Sequence, residues 1–177
     1  MRADHLLLAG LGKSEEITAD KLRQAAGTAA RRAENTNFKT ITFYIPADES
    51  AKNFYAGVLE SSDDPAKAVT EGSLLSLYHF DQYKEDNGKN KPSRVRQIIL
   101  LPASKEQVPP MRLAIGRGRK LAEAVFASRD LISHPSNTAT PSYLADKARE
   151  FAKSSGMTCK VLATRDMSRL GMGALLG

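Results

Sequence analysis

The feature that most narrows the fold is the run Ile98-Ile99-Leu100-Leu101, apolar at four consecutive positions and stopped by Pro102. A strand that faces water on one side alternates, so a strand without alternation belongs in a sheet covered by helices. Phe38 to Ile45 supplies a second strand, with Ile41, Phe43 and Ile45 on one side and Thr40, Thr42 and Tyr44 on the other, ended by Pro46. His5 to Ala9, apolar and closed by Gly10-Leu11-Gly12, reads as an earlier strand. Between these lie helical patterns, and alternation of the two periods points to the α/β class.

The first helix starts at a Thr18 cap and repeats Leu22, Ala25, Ala26, Ala29 and Ala33, with Gly27 among them. A face of small residues suits close packing. Asp48 to Glu60 is expected to form a helix with Phe54 and Val58 inward. Asp64-Pro65 then opens another, a capping carboxylate followed by a first-turn proline, running through Val69, Gly72, Leu74, Leu75 and Leu77 to about Tyr78. Asp81 to Ser93 reads as a charged loop. Pro109-Pro110 begins a long helix to about Ile132, with Ala114, Gly118, Leu121, Ala122 and Val125 on one stripe. After a loop at Ser133 to Thr140, Thr140-Pro141 opens a helix with Leu144, Ala148, Phe151 and Ala152 inward, stopped by Gly156. Met157, Cys159, Val161 and Ala163 alternate as a last strand, and Thr164 caps a short helix toward Leu170.

Composition bounds the function. The chain has 177 residues, enough for one ordinary domain or a domain with part of another. No apolar run approaches the ~20 residues that span a bilayer. One cysteine, Cys159, excludes an internal disulfide framework, so a reducing, cytoplasmic compartment is expected. Lys84 to Lys120 holds ten basic and three acidic side chains, whereas the whole chain carries a formal charge of +6. That segment, 84–120, admits weak nucleic-acid binding as an alternative function, although no aromatic between Tyr83 and Phe126 is there to stack bases.

Few residues suggest chemistry. His5, His79 and His134 are far apart, and none has a second ligand at metal-binding spacing. His79 closes a helix, where its cation would meet the C-terminal dipole. His134, before Pro135, reads as a loop residue. Asp63-Asp64 is a carboxylate pair in which Asp64 already caps a helix. Gly116-Arg117-Gly118-Arg119 lacks the third glycine of a dinucleotide fingerprint and does not follow a strand, so Gly118 is read as a packing residue. Cys159 reads as core. No GxSxG turn is present. Catalytic, cofactor-binding and metal residues are therefore all expected to be absent.

Several segments together resemble the leucyl (cytosol) aminopeptidase family of two-metal exopeptidases. "LLAGLG" (Leu7 to Gly12) with "LRQAAGTAAR" (Leu22 to Arg31) resembles the strand, loop and helix of its N-terminal domain. "EGSLLSLYHFDQYK" (Glu71 to Lys84) resembles its helix with an aromatic, basic end. "SRDLISHPSNTATPSYLADKA" (Ser128 to Ala148) resembles the link into the catalytic domain, and "RLGMGALLG" (Arg169 to Gly177) the opening of that domain.

The resemblance implies an α/β fold with a three-layer, macro-domain-like sheet covered by helices, then a linker helix and a short α/β piece of the next domain. It implies a non-catalytic N-terminal domain over 1–106, a linker over 107–139 and the beginning of a catalytic domain over 140–177. It implies a parent that removes N-terminal residues, Leu preferred, from peptides, using two divalent ions such as Zn or Mn and assembling as a homo-hexamer. The family's ligands, in motifs of the type GKGxxFDTGG and NTDAEGR, lie downstream of the GMGALL segment, and further strands precede His5. The chain thus resembles a piece trimmed at both ends, without cofactor of its own, whose partner is its own catalytic domain. Arg129 and Asp130 are expected to pair with that domain, and Asn137 to tie down the connecting loop.

Overall fold

The computed structural model describes residues 5–46, 64–84 and 94–176. The helix expected over Asp48 to Glu60, Asp63, and most of the charged loop lie outside the described residues. In order, the main elements are α1 (Ala19–Asn35), β1 (Thr40–Ile45), α2 (Pro65–Ser76), β2 (Gln97–Pro102), α3 (Val108–Ser133), α4 (Pro141–Ser155) and α5 (Thr164–Arg169). The class is mixed α/β. The chain divides into two compact units, 1–128 and 129–177, with the division falling inside α3.

In the first unit β1 and β2 pair in parallel, Ile41 beside Ile98, Phe43 beside Leu100 and Ile45 beside Pro102. A parallel pair needs a crossover, and the connection carries α2. Phe43, Ile45 and Leu100 pack with Ala26 of α1, Ala66 and Val69 of α2, and Met111, Ala114 and Ile115 of α3. A second cluster joins Ile17, Ala19, Leu22 and Ala68, with Leu11 against it. The other sheet face carries Tyr44 beside Leu101, both exposed. β2 is therefore not buried on both sides by the described residues; Ile98, Ile99 and Leu100 are half-buried.

The caps form as their chemistry dictates. The Thr18 hydroxyl accepts from the Lys21 amide at 3.3 Å, and the Asp64 carboxylate accepts from the Ala66 amide at 2.7 Å. The Thr140 hydroxyl accepts from the Tyr143 amide at 3.3 Å. At α5 the cap is one residue earlier than expected. Ala163 holds the cap position and donates its N–H to Asp166 at 3.3 Å, while Thr164 is the first helical residue.

The helix interfaces are built from small residues. α1 buries Ala26, Gly27, Ala29, Ala30 and Ala33, and α2 buries Ala66, Ala68, Gly72 and Ser73. A Cβ on Gly72 would run into the Arg23 backbone carbonyl, so only glycine lets the two helices cross this closely. Gly118 does the same for α3, where a Cβ would stand 2.9 Å from the Lys67 carbonyl oxygen. The expected leucines are consequently not the core: Leu74 and Leu75 are half-buried and Leu121 is exposed. Small residues displaced them because short distance between backbones leaves no volume for larger side chains.

Two expected strands do not form among the described residues. Residues 5–9 lack a strand partner, and Leu6 and Leu8 are 83% and 84% exposed. Residues 157–163 are irregular, with Met157 63% exposed and Cys159 half-buried rather than core. In α4 only Ala152 is buried, and the expected inward Leu144 and Phe151 are exposed. In each case the sequence marks an apolar face correctly, but no described element lies against it.

Candidate functional site

The polar groups that the fold brings together in the first unit gather where α1 ends and α2 gives way to 77–84. Glu34 occupies the apolar stripe of α1, one turn beyond Ala30, and is buried. His79 Nε2 lies 2.9 Å from one Glu34 carboxylate oxygen and 3.1 Å from the other. His79 is thus not a helix-terminal cation as expected. α2 ends at Ser76, and the histidine instead satisfies a buried carboxylate 45 residues away. Asp81 nearby is held by Lys84 at 3.1 Å and by Arg94. The Lys84 hydrogen bond, then the Arg94 and Lys84 charges with a contribution from His79, hold the Asp81 carboxyl below the ordinary carboxylate range. Aromatic rings flank the cluster: Tyr78 stacks on Phe126 at 5.3 Å between centroids, and Phe80 tilts on Tyr83 at 5.7 Å.

A second buried carboxylate was not anticipated. Glu71, 1% exposed, accepts from Arg23 Nε at 2.6 Å and faces Lys67 Nζ at 3.6 Å, while its Oε1 atom has no hydrogen-bond partner. It ties α1 to α2 beside the Gly72 crossing. Glu34 follows the small-residue stripe of α1, whereas the helical neighbours of Glu71 are Lys67, Ala68, Leu74 and Leu75 and give no such mark.

In the second unit the loop between α3 and α4 is closed by backbone hydrogen bonds, Thr138 and Ala139 N–H both reaching the Pro135 carbonyl at 2.9 Å. His134 Nε2 and the Tyr143 hydroxyl lie 2.9 Å apart, with the rings edge to face. The loop tie expected of Asn137 therefore runs through His134 and Tyr143, and Asn137 itself is exposed in the turn. Arg129 and Asp130 stand in the last turns of α3, both exposed.

Among the described residues no three His, Cys, Asp or Glu side chains converge where a metal ion could sit. The pairs His79–Glu34 and His134–Tyr143 have no nucleophile beside them that the described contacts reveal. Gly116 has open space where a Cβ would be, and Gly118 is spent on packing, so the Gly-Arg-Gly-Arg stretch forms a helix surface and not a phosphate loop. Within the basic segment, Lys84 and Arg94 are engaged by Asp81 and Arg119 by Glu123 at 3.3 Å. No helix among the described residues is long and apolar enough to cross a membrane.

Comparison with known proteins identifies relatives for both parts of the chain. The model of the cytosol aminopeptidase family N-terminal domain matches residues 1–87, and the model of its catalytic domain matches residues 126–177. A "Probable cytosol aminopeptidase" of Solibacter usitatus (strain Ellin6076) is 36% identical over 177 residues, covering 100% of this chain and 33% of that protein. One from Rippkaea orientalis (strain PCC 8801 / RF-1) is 33% identical over 174 residues, covering 97% and 32%. The chain thus spans about a third of the length of the curated relatives it matches.

Among solved structures, the bottromycin maturation enzyme BotP in complex with Mn matches at a TM-score of 0.68 and 30% identity, over 92% of this chain and 30% of that one. A mutant of tomato leucine aminopeptidase matches at a TM-score of 0.69 and 18% identity, over 85% and 28%, and supports the fold. The nucleic-acid alternative finds no support in these relatives. With the two domain models matched in their order along the chain, this protein belongs to the cytosol aminopeptidase family.

Proposed function

We propose that this chain is the non-catalytic N-terminal region of a metal-dependent aminopeptidase, joined through α3 to the opening of its catalytic domain. The observation that carries this is the order of the two matches, the N-terminal model over 1–87 and the catalytic model over 126–177. The domain limits proposed with it are 1–106, a linker over 107–139, and 140–177. The parent releases N-terminal residues, Leu preferred, from peptides, acts in the cytoplasm as the relatives' names suggest, and assembles as a homo-hexamer.

Two divalent ions, Mn or Zn, would supply a Lewis acid and a metal-activated water in that reaction; the Mn-bound BotP neighbour favours a divalent metal. The described residues of this chain do not fit such a pair. Its buried carboxylates, Glu34 and Glu71, are engaged by His79 and Arg23 and lie in helix contacts, not facing one another across a cleft. No hydrolytic step is assigned to them. Their work is to hold α1, α2 and 77–84 together.

The test is direct. Incubated with a leucyl amide and Mn, this chain is expected to give no turnover above the metal-ion blank. Assembled with the remaining two thirds of the Solibacter usitatus relative, it is expected to yield an aminopeptidase. Turnover by the chain alone would refute the non-catalytic assignment.

A further inference from the structure

Glu34 is a carboxylate in an unfavourable place. Its side chain is 7% exposed, and it sits in the last turn of α1, where unpaired carbonyls make the helix end negative. Among the described residues the group that answers it is His79, whose Nε2 lies 2.9 and 3.1 Å from the two carboxylate oxygens. An ionised carboxylate only accepts, so Nε2 carries a proton shared between both oxygens. That leaves Nδ1 as the nitrogen that gains or loses a proton, on a ring 26% exposed and so within reach of water.

The charge of this pair therefore depends on pH, because an imidazole changes charge between about pH 5 and 8. With Nδ1 protonated, imidazolium and carboxylate cancel in the buried site. With Nδ1 bare, the hydrogen bond remains but the carboxylate is uncompensated, and a buried charge without a counter-charge is costly. The other charged groups nearby do not take the place of His79. Asp81, two residues on, is itself an anion influenced by the His79 charge, and it holds Lys84 and Arg94. On α2, Lys67 and Glu71 face one another, with Arg23 of α1 on Glu71. Arg32 shares the last turn of α1 but is exposed. α3 contributes an uncharged ring, Phe126, against Tyr78.

What the pair holds is the stretch that follows α2. The helix ends at Ser76, and 77–84 continues as turns and irregular chain. Its ties across the fold include His79 to Glu34 of α1, Tyr78 to Phe126 of α3 at 5.3 Å between centroids, and Asp81 to Arg94 ahead of β2. The aromatic stack carries no charge, and the Asp81 carboxyl, held low, stays ionised near neutrality. Of these ties, the one built on an imidazole is the one that pH can alter there.

We propose that His79 and Glu34 form a pH-sensitive latch, closed when the imidazole is protonated and loosened when it is neutral, which sets how firmly 77–84 is held against α1 and α3. The latch goes beyond the functional reading above and does not depend on it, since its contacts lie within 1–128.

The experiment is limited proteolysis by chymotrypsin, mapping cleavage after Tyr78, Phe80 and Tyr83 and dividing each rate by that of a free peptide of sequence 77–84 at the same pH. In the unaltered chain the normalised rate is expected to rise at least tenfold from about pH 5.5 to about pH 8.5, across the interval in which an imidazole loses its charge. His79→Arg supplies a cation that stays charged and should hold the rate low, within twofold, over the same range. His79→Gln keeps a donor without the charge and should be cut readily at both ends. His5 and His134 are common to all three proteins and cancel in the comparison.

A rate that does not change with pH in the unaltered chain would overturn the latch. So would a rise that persists in either variant, or resistance of His79→Gln at both pH values. Where a substitution unfolds the chain, NMR of the unaltered protein decides: the Phe126 ring protons must follow the His79 imidazole nitrogens through one midpoint, and separate midpoints reject the proposal.

Discussion

At the scale of single residues, the two buried carboxylates set the sharpest expectations. Glu71 is held by Arg23 in a 2.6 Å hydrogen bond, whereas Lys67 stands at 3.6 Å, beyond hydrogen-bond reach of Oε1. Removing a partner from a buried pair leaves a charge without compensation and costs about 3 kcal/mol or more. Arg23→Ala is therefore expected to destabilise the chain by roughly that amount in urea unfolding, and Lys67→Ala by less than about 1 kcal/mol. Equal losses would show that the two cations share the carboxylate evenly. Asp81 gives a test in pH. Its carboxyl is held low by the Lys84 hydrogen bond first and the Arg94 charge next. A depressed folded-state pKa means that the contribution is present above the unfolded value, about 3.9, and is lost as pH falls through the folded one. The carboxyl carbon of Asp81 should titrate below the ordinary range by NMR, and Lys84→Ala should move it back up further than Arg94→Ala does. Neither Glu71 nor the His79–Glu34 pair was legible beforehand. A buried carboxylate is chosen by partners 45 or 48 positions away, and local spacing carries no record of them.

At the scale of elements, periodicity and caps gave much of the map. Thr18, Asp64 and Thr140 cap where their side chains and neighbours required, because a cap is a contact within three residues. Which residues of each helix are buried was less legible. The stripe of α3 is Met111, Ala114, Gly118 and Ala122, and Leu121 points outward despite its hydrophobicity. Hydrophobicity identifies a face, but the approach distance of the neighbouring backbone decides the size of side chain it accepts. This yields a paired prediction. Gly72→Ala places a methyl against the Arg23 backbone and should cost about 1–3 kcal/mol. Gly116→Ala meets nothing within 4 Å and should stabilise α3 by about 0.5–1 kcal/mol through helix propensity. Thermal melts of the two variants should shift in opposite directions. A loss at Gly116 as large as that at Gly72 would contradict the packing described.

At the scale of the whole molecule, the two units differ in how much they bury. The first has clusters built around Ile17 and around Ile45 with Met111, and the second buries Ala152 alone among its described residues. Local stability follows buried contacts. Amides in the middle of α1 and α2 are expected to exchange far more slowly than those of α4, and uniform protection across both units would refute this. The α/β class was legible from alternating periods, and the family from four short segments in order. What could not be read was whether a strand-like pattern finds a strand beside it. Residues 5–9 and 157–163 have the composition for it, but pairing depends on which chain lies alongside, a property of the assembly and not of the segment.

The parallel pairing of β1 with β2 has a consequence for how the first unit is reached from the unfolded state. Thr40 meets Gln97 only after the intervening chain, α2 included, has been gathered in. Contacts so remote in sequence slow folding, whereas a helix can nucleate within itself. Upon dilution from denaturant, helical signal should therefore return well ahead of protection at the Thr40–Ile45 amides.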